Sequence, residues 1–148
     1  METNLEKIKK LFDQSSDLIL NSKILSEKID NAISLIISSL QNGNKILIFG
    51  NGGSAADAQH MAAEFVSRYL IERKSIPAIA LTTDTSILTS ISNDYSFDKI
   101  FSRQCESLVN QGDIVIAIST SGKSKNVILG IEEAKKHGAQ IISLTGYD

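Results

Sequence analysis

The chain contains no tryptophan, one cysteine and one proline, and it has neither a run of basic residues nor a long uninterrupted apolar segment. Each shortage closes a class of function. With Cys105 alone, no intramolecular disulfide can form, which points to a reducing compartment and a cytoplasmic location. No stretch approaches the length of a membrane span, and the opening METNLEKIKK is amphipathic where a signal peptide would be continuously apolar, so no membrane association is expected. A formal charge of −2, with only three tyrosines and five phenylalanines, leaves no electrostatic footprint for nucleic acid. A phosphorylated small molecule remains compatible, because one anion needs only a local pocket. No repeat, low-complexity tract or interdomain linker interrupts the 148 residues, and 42% hydrophobic content suits one core, so a single domain over residues 1–148 is expected.

What is present is organised around KILIFGNGGSAADAQHMAAE at 45–64. Ile46, Leu47, Ile48 and Phe49 do not alternate with polar residues, as befits a strand buried on both faces. Gly50, Asn51, Gly52 and Gly53 then turn the chain, and three glycines in four positions let main-chain N–H groups approach a ligand. Ser54 is the expected N-cap of a helix running to about Tyr69, its hydroxyl accepting from the N–H of Asp57. A strand, a glycine turn and a helix N-terminus together make an anion site.

Before this stretch, Leu5, Ile8, Leu11, Phe12, Leu18 and Ile19 recur at helical spacing, and Ile29, Ile33, Ile36, Ile37 and Leu40 do so again beyond a break at Asn21 and Ser22. A helical hairpin over 1–43, stopped by Asn42 and Gly43, is predicted ahead of the sheet, with part of its apolar stripe packed on another subunit. After it, Pro77 opens a strand at Ala78–Leu81. A mixed segment from Thr85 leads through a loop holding Asn93 and Asp94 to a helix near Phe97–Val109. Ile114–Ile118 form the third strand, Ser119–Ser124 a hydroxyl-rich loop, Val127–Lys136 a helix stopped by Gly138, and Ile141–Leu144 the fourth strand. Leu144–Asp148 would begin a third loop at the same edge. Apolar strands separated by helical patterns predict an α/β fold, a three-layer parallel sheet with helices on both faces over 44–148. In such sheets ligands bind beyond the carboxyl ends of the strands.

Three groups of residues could carry chemistry. Gly50, Gly52 and Ala55 satisfy a dinucleotide fingerprint formally, but no acidic residue stands at the end of the second strand and no lysine follows the glycines as a P-loop demands. The loop STSGKS at 119–124 offers the hydroxyls of Ser119, Thr120, Ser121 and Ser124 beside a helix N-terminus, a composition suited to a phosphate monoester, although it also reads as a plain serine-rich loop with an N-cap. His60 and Glu64 lie on one helix face and could ligate a divalent metal, zinc above all, or Glu64 could transfer protons, or the two could be a solvated pair. His137 suits dipole compensation at a helix C-terminus, and Cys105 suits the core.

The segments FGNGGSAADAQHMAAEF, ISNDYSFDKIFSRQ and ISTSGKSKNVI resemble the phosphoheptose isomerases of the sugar isomerase (SIS) superfamily, in that family's order and spacing and over the whole chain. The resemblance implies the flavodoxin-like strand order of that superfamily. It implies that Asn51, Gly52, Gly53, Glu64, Asn93, Asp94, Ser119, Thr120, Ser121 and Ser124 bind a sugar phosphate, that His60 and Glu64 bind zinc, and that Glu64 is the catalytic proton carrier. It further implies a homotetramer with active sites at subunit interfaces, and conversion of sedoheptulose 7-phosphate to D-glycero-D-manno-heptose 7-phosphate in nucleotide-heptose synthesis for surface polysaccharide such as lipopolysaccharide. Family members continue through another strand and a helix whose glutamine and histidine complete the metal site, so residues beyond Asp148 are expected. The alternative is a non-catalytic SIS phosphosugar-binding module or replication-initiation regulator, and the His60/Glu64 pair favours the enzyme.

Overall fold

The strand at the centre of the sequence pattern is also an inner strand of the sheet. In the computed structural model, which describes residues 2–146, β1 (Ile46–Gly50) lies between β2 (Ala78–Ala80) and β3 (Ile114–Ser119), with β4 (Gln140–Thr145) outside β3. The order is β2-β1-β3-β4 and every pair is parallel. The register sets Ile46 beside Ala78 and Ile114, and Gly50 beside Ile118, so the turn after β1 and the loop after β3 leave the same edge of the sheet. Every residue of β1 and β3 is buried, which is why neither run alternates in sequence.

Alternation appears instead in what each residue touches. Leu47, Phe49, Val115 and Ala117 share one face and form a cluster with Phe101 and Cys105 of α5 (Ile100–Leu108) and Val127 and Ala134 of α6 (Lys125–Lys136). Phe49 and Phe101 stack with centroids 4.8 Å apart. Ile46, Ile48, Ile114 and Ile116 project to the other face. The helix α3 (Gly53–Val66), which packs along β1 and β2 through buried Ala58 and Ala62, adds nothing to the first cluster and covers that other face. Small residues on α3 let its backbone come close to the strands.

By contact the chain divides into two compact units, Met1–Leu35 and Ile36–Asp148. The first holds α1 (Asn4–Asn21), opened by a capping box between Thr3 and Glu6, and the beginning of α2 (Ser26–Gln41). The predicted hairpin is not what forms. Asn21, Ser22 and Ser26 all keep right-handed helical dihedrals, and Ser22–Leu25 is a 3₁₀ turn, so one helix runs on into the next. Among the described residues the first positive φ is that of Gly43 (80°), and with no glycine or proline before it the joint has nothing to reverse it. No residue of α1 is buried within this chain.

Two further boundaries differ from expectation. Asn93 and Asp94 do not lie in a loop: they end a helix, α4 (Thr85–Asp94), whose N-terminus is capped by the Asp84 carboxylate accepting from the Ile87 N–H at 2.9 Å. Leu88 and Ile91, three apart, pack that helix on the core. Helix α3 stops at Val66 and not near Tyr69. The Arg73 guanidinium takes the carbonyls of Glu64 at 2.7 Å and Phe65 at 2.9 Å, and the Ile76 N–H also donates to Phe65, so these acceptors are satisfied from outside the helix. The helix predicted at Phe97–Val109 is a 3₁₀ turn, Phe97–Lys99, followed by α5. Tyr147 and Asp148, expected to start a third loop, lie outside the described residues.

Candidate active site

Two of the three glycines in the turn are required, each for a different reason. A Cβ on Gly50 would stand 2.7 Å from the Ser54 Cβ and 2.8 Å from the Ile118 carbonyl oxygen, so the end of β1 can approach β3 only as glycine. Gly52 holds φ at 56° and is itself the N-cap of α3. Gly53 is the first helical residue and faces open space. Ser54 is therefore not the cap that the sequence suggested. The Gly52 carbonyl already accepts from the N–H groups of Ala55 and Ala56, which places Ser54 inside the first turn. Among the described residues no side chain caps this helix N-terminus.

The hydroxyl loop stands alongside. Ser119 ends β3 and is buried, and its Oγ donates to the Ser124 Oγ at 3.2 Å. Gly122, with φ of 64°, returns the chain by donating to the Ser119 carbonyl, while the Ser121 Oγ accepts from the Lys123 N–H. Thr120 and Ser121 are exposed, and Ser124 is the N-cap of α6. Lys125 reaches the Asp98 carboxylate at 2.7 Å, a hydrogen bond that holds its ammonium above the usual range and ties α6 to the 3₁₀ turn. The two loops are joined by a reciprocal pair of amide hydrogen bonds between Asn51 and Asn126, at 2.9 and 2.8 Å.

His60 and Glu64 occupy a second place. The His60 Nε2 lies 3.9 Å from the Glu64 Oε1, with the imidazole largely exposed and the carboxylate partly so. The other oxygen, Glu64 Oε2, is buried and has no hydrogen-bond partner among the described residues. Both line a cavity of about 360 Å³ with Met61, Phe65, Tyr69 and Arg73, whereas Gly50, Asn51 and Gly52 line a separate cavity of about 170 Å³ with Thr82, Leu88 and Phe97. Glu64 is eleven residues beyond Gly53, so at about 1.5 Å of rise per residue it lies roughly 16 Å along the helix axis from the glycine turn. Within one chain the hydroxyl loop and Asn51–Gly53 come together, and His60 and Glu64 come together, but the two sets do not share a cavity. Asn93 and Asp94 are exposed, and the Asn93 amide donates to the Asp94 carboxylate at 2.8 Å; among the described residues no hydrogen bond joins their side chains to either loop.

An imidazole near one oxygen of a carboxylate whose other oxygen is buried and unpartnered is donor chemistry that suits a divalent metal, zinc in particular. His60 and Glu64 fit as two of its ligands. Among the described residues no group of three or more His, Cys, Asp or Glu side chains is placed to hold a metal ion, so further donors would come from elsewhere. Cys105 takes no part: burial, with Glu133 as a lesser cause, pushes its thiol up to about 12.

Residues 10–146 match the SIS domain family. The phosphoheptose isomerase of Aquifex aeolicus is 52% identical over 143 residues, 96% of this chain and 75% of that protein. The chain belongs to the phosphoheptose isomerase family. The phosphoheptose isomerase of Citrifermentans bemidjiense is 56% identical over 124 residues, 84% of this chain and 65% of its own length, so the chain spans about two thirds to three quarters of these relatives. The solved phosphoheptose isomerase of Neisseria gonorrhoeae superposes with a TM-score of 0.91 at 46% identity, covering 99% of this chain and 77% of that one. The Francisella tularensis phosphoheptose isomerase gives 0.93 at 38%, covering 97% and 75%. As in these structures, the chain is α/β with a parallel sheet and a long N-terminal helix.

Three residues at the candidate site carry no motif of their own in the sequence reading. Asn126 is buried beneath both loops, Arg73 anchors the end of α3 that carries Glu64, and the Thr82 hydroxyl reaches the Ala55 carbonyl. Only Asn126 left a signal, an asparagine in the first turn after the hydroxyl loop. Arg73 is nine residues from its partner in an irregular segment, where no periodicity applies.

Proposed function

We propose that the chain is an aldose–ketose isomerase converting sedoheptulose 7-phosphate to D-glycero-D-manno-heptose 7-phosphate, supplying nucleotide-heptose synthesis for surface polysaccharide such as lipopolysaccharide in the cytoplasm. The observation that carries this reading is the buried, unpartnered Glu64 Oε2 on the helix that leaves the glycine turn. Ser119, Thr120, Ser121 and Ser124 would hold the phosphate, with the N-terminus of α6 beside them. Asn51, Gly52, Gly53, Asn93 and Asp94 would bind the sugar.

Glu64 would take the proton from C1 of the ketose while the carbonyl oxygen at C2 gains a proton, giving a C1–C2 enediol. Loss of the O1 proton and return of a proton to C2 then forms the aldehyde at C1, so the step is a redox-neutral transfer within one substrate. A positioned carboxylate of this kind contributes ~10²–10⁴-fold. His60 and Glu64 would hold zinc, which when bound supplies Lewis-acid stabilisation of charge on the sugar oxygens. Enediol formation needs that charge held in a site closed to water.

The working form is proposed to be a homotetramer with the active site at a subunit interface. Support comes from the exposed apolar stripe of α1, where Phe12 is 74% accessible and Ile19 72%, and from the separation of the two residue sets within one chain. Incubating purified protein with sedoheptulose 7-phosphate and zinc tests the proposal. Formation of the aldose heptose phosphate is expected, and tight binding with no turnover would assign the chain instead to a phosphosugar-binding role.

A further inference from the structure

The Asn51–Asn126 amide pair has a direction built into it. The Asn126 Oδ1 accepts from the Val127 N–H at 2.9 Å, and because that backbone group can only donate, it decides which end of the Asn126 amide is oxygen. The same oxygen accepts from the Asn51 Nδ2 at 2.9 Å, and the Asn126 Nδ2 donates to the Asn51 Oδ1 at 2.8 Å. A main-chain N–H in the first turn of α6 thus orients a buried amide, which in turn orients the amide of the glycine turn. Asn126 is only 3% exposed. Asn51 is less buried, and each of its amide groups keeps capacity for one more hydrogen bond.

We propose that Asn126 is a positioning residue for substrate: it touches no ligand itself but holds the Asn51 amide in the one orientation that presents an N–H and a carbonyl lone pair to the sugar phosphate, and it sets the spacing of the glycine turn from the hydroxyl loop. The inference rests on the proposed sugar-phosphate site. Without Asn126 the Asn51 amide is free to rotate, and the flipped form offers each ligand group the wrong partner. That penalises binding of substrate and transition state alike, so affinity falls more than the rate at saturation.

The informative variant is Asn126→Asp, which is isosteric and keeps an acceptor for both the Val127 N–H and the Asn51 Nδ2, but turns a carboxylate oxygen toward the Asn51 Oδ1. If Asn126 served only to satisfy Val127, this change would keep that hydrogen bond and any loss would come from the new charge alone, the same with or without the Asn51 amide. Its charge is controlled for by repeating it in Asn51→Ala. Affinity for sedoheptulose 7-phosphate is read by calorimetry on the intact protein, with kcat measured in parallel and thermal midpoints recorded. Asn51→Ala and Asn126→Asp are each expected to weaken binding about tenfold, the loss that goes with one mispaired polar group. In the Asn51→Ala background, Asn126→Asp is expected to add less than about twofold, because its effect runs through a side chain already removed. Asn126→Ala gives the same comparison without the charge if the aspartate variant folds poorly. Wild-type affinity in Asn126→Asp, or an undiminished loss in the Asn51→Ala background, overturns the positioning role while leaving the site reading intact. Wild-type affinity in Asn51→Ala overturns it too. Failure of the wild-type protein to bind the sugar phosphate brings down the site reading itself.

Discussion

The Ser119 hydroxyl donates to the Ser124 hydroxyl across 3.2 Å, tying the last residue of β3 to the N-cap of α6. Ser124 makes no side-chain cap to its own helix, so its oxygen belongs to the loop. A phosphate arriving here would meet preformed donors, since the loop is already closed by Gly122.

Replacing Ser119, Ser121 and Ser124 together by alanine should weaken sugar-phosphate binding by more than about a hundredfold, because hydrogen bonds to a charged ligand count for more than neutral ones. Calorimetry alongside urea unfolding separates binding from folding. Equal affinity in wild type and triple variant removes the phosphate from this loop.

Glu64→Gln keeps the shape of the side chain and removes its ability to carry a proton. Turnover should fall ~10²–10⁴-fold while phosphosugar affinity stays near wild type. A variant retaining more than about a tenth of the wild-type rate would show that another group moves the proton.

At the opposite edge of the sheet, buried Asp113 accepts from the N–H groups of Lys45 at 3.0 Å and Asn110 at 2.8 Å and from the Lys45 ammonium at 2.6 Å. Asp113→Ala leaves two backbone donors without a partner where β1 and β3 begin, and should cost about 3 kcal/mol in urea unfolding. Activity of the folded fraction should not change, because the site lies at the other ends of the strands. A loss below about 0.5 kcal/mol would mean that water replaces the carboxylate freely.

Cys105 predicts a pH dependence. Burial, with a smaller contribution from Glu133, raises its thiol from the ordinary 9.0 to about 12, so the folded protein keeps a proton that the unfolded chain releases. Its contribution to stability is complete below about pH 9 and is lost as the pH climbs toward about 12. The urea midpoint should therefore fall between about pH 8 and about pH 10, and fall less in Cys105→Ala. Thiol reagents at neutral pH should label Cys105 only as fast as the protein opens. Rapid labelling of the native state would contradict its burial.

Much of the fold was legible because the signals are local or periodic. The apolar runs at Ile46–Phe49 and Ile114–Ile118 read as strands covered on both faces, and the glycines and hydroxyls that follow them fit the carboxyl edge of a parallel sheet. The membership of His60 and Glu64 in one helix face followed from a spacing of four. Tertiary structure decided the rest, because it depends on partners distant in sequence. Asp84 and the packing of Leu88 and Ile91 made a helix of a segment that reads as mixed, and Arg73 ended α3 three residues before Tyr69. Gly52 took the capping position from Ser54 because the strand-to-helix turn needed a positive φ. Asn126 meets Asn51 across 75 positions of sequence, a pairing that no pattern within either segment encodes and that only the neighbouring registers of β1 and β3 create.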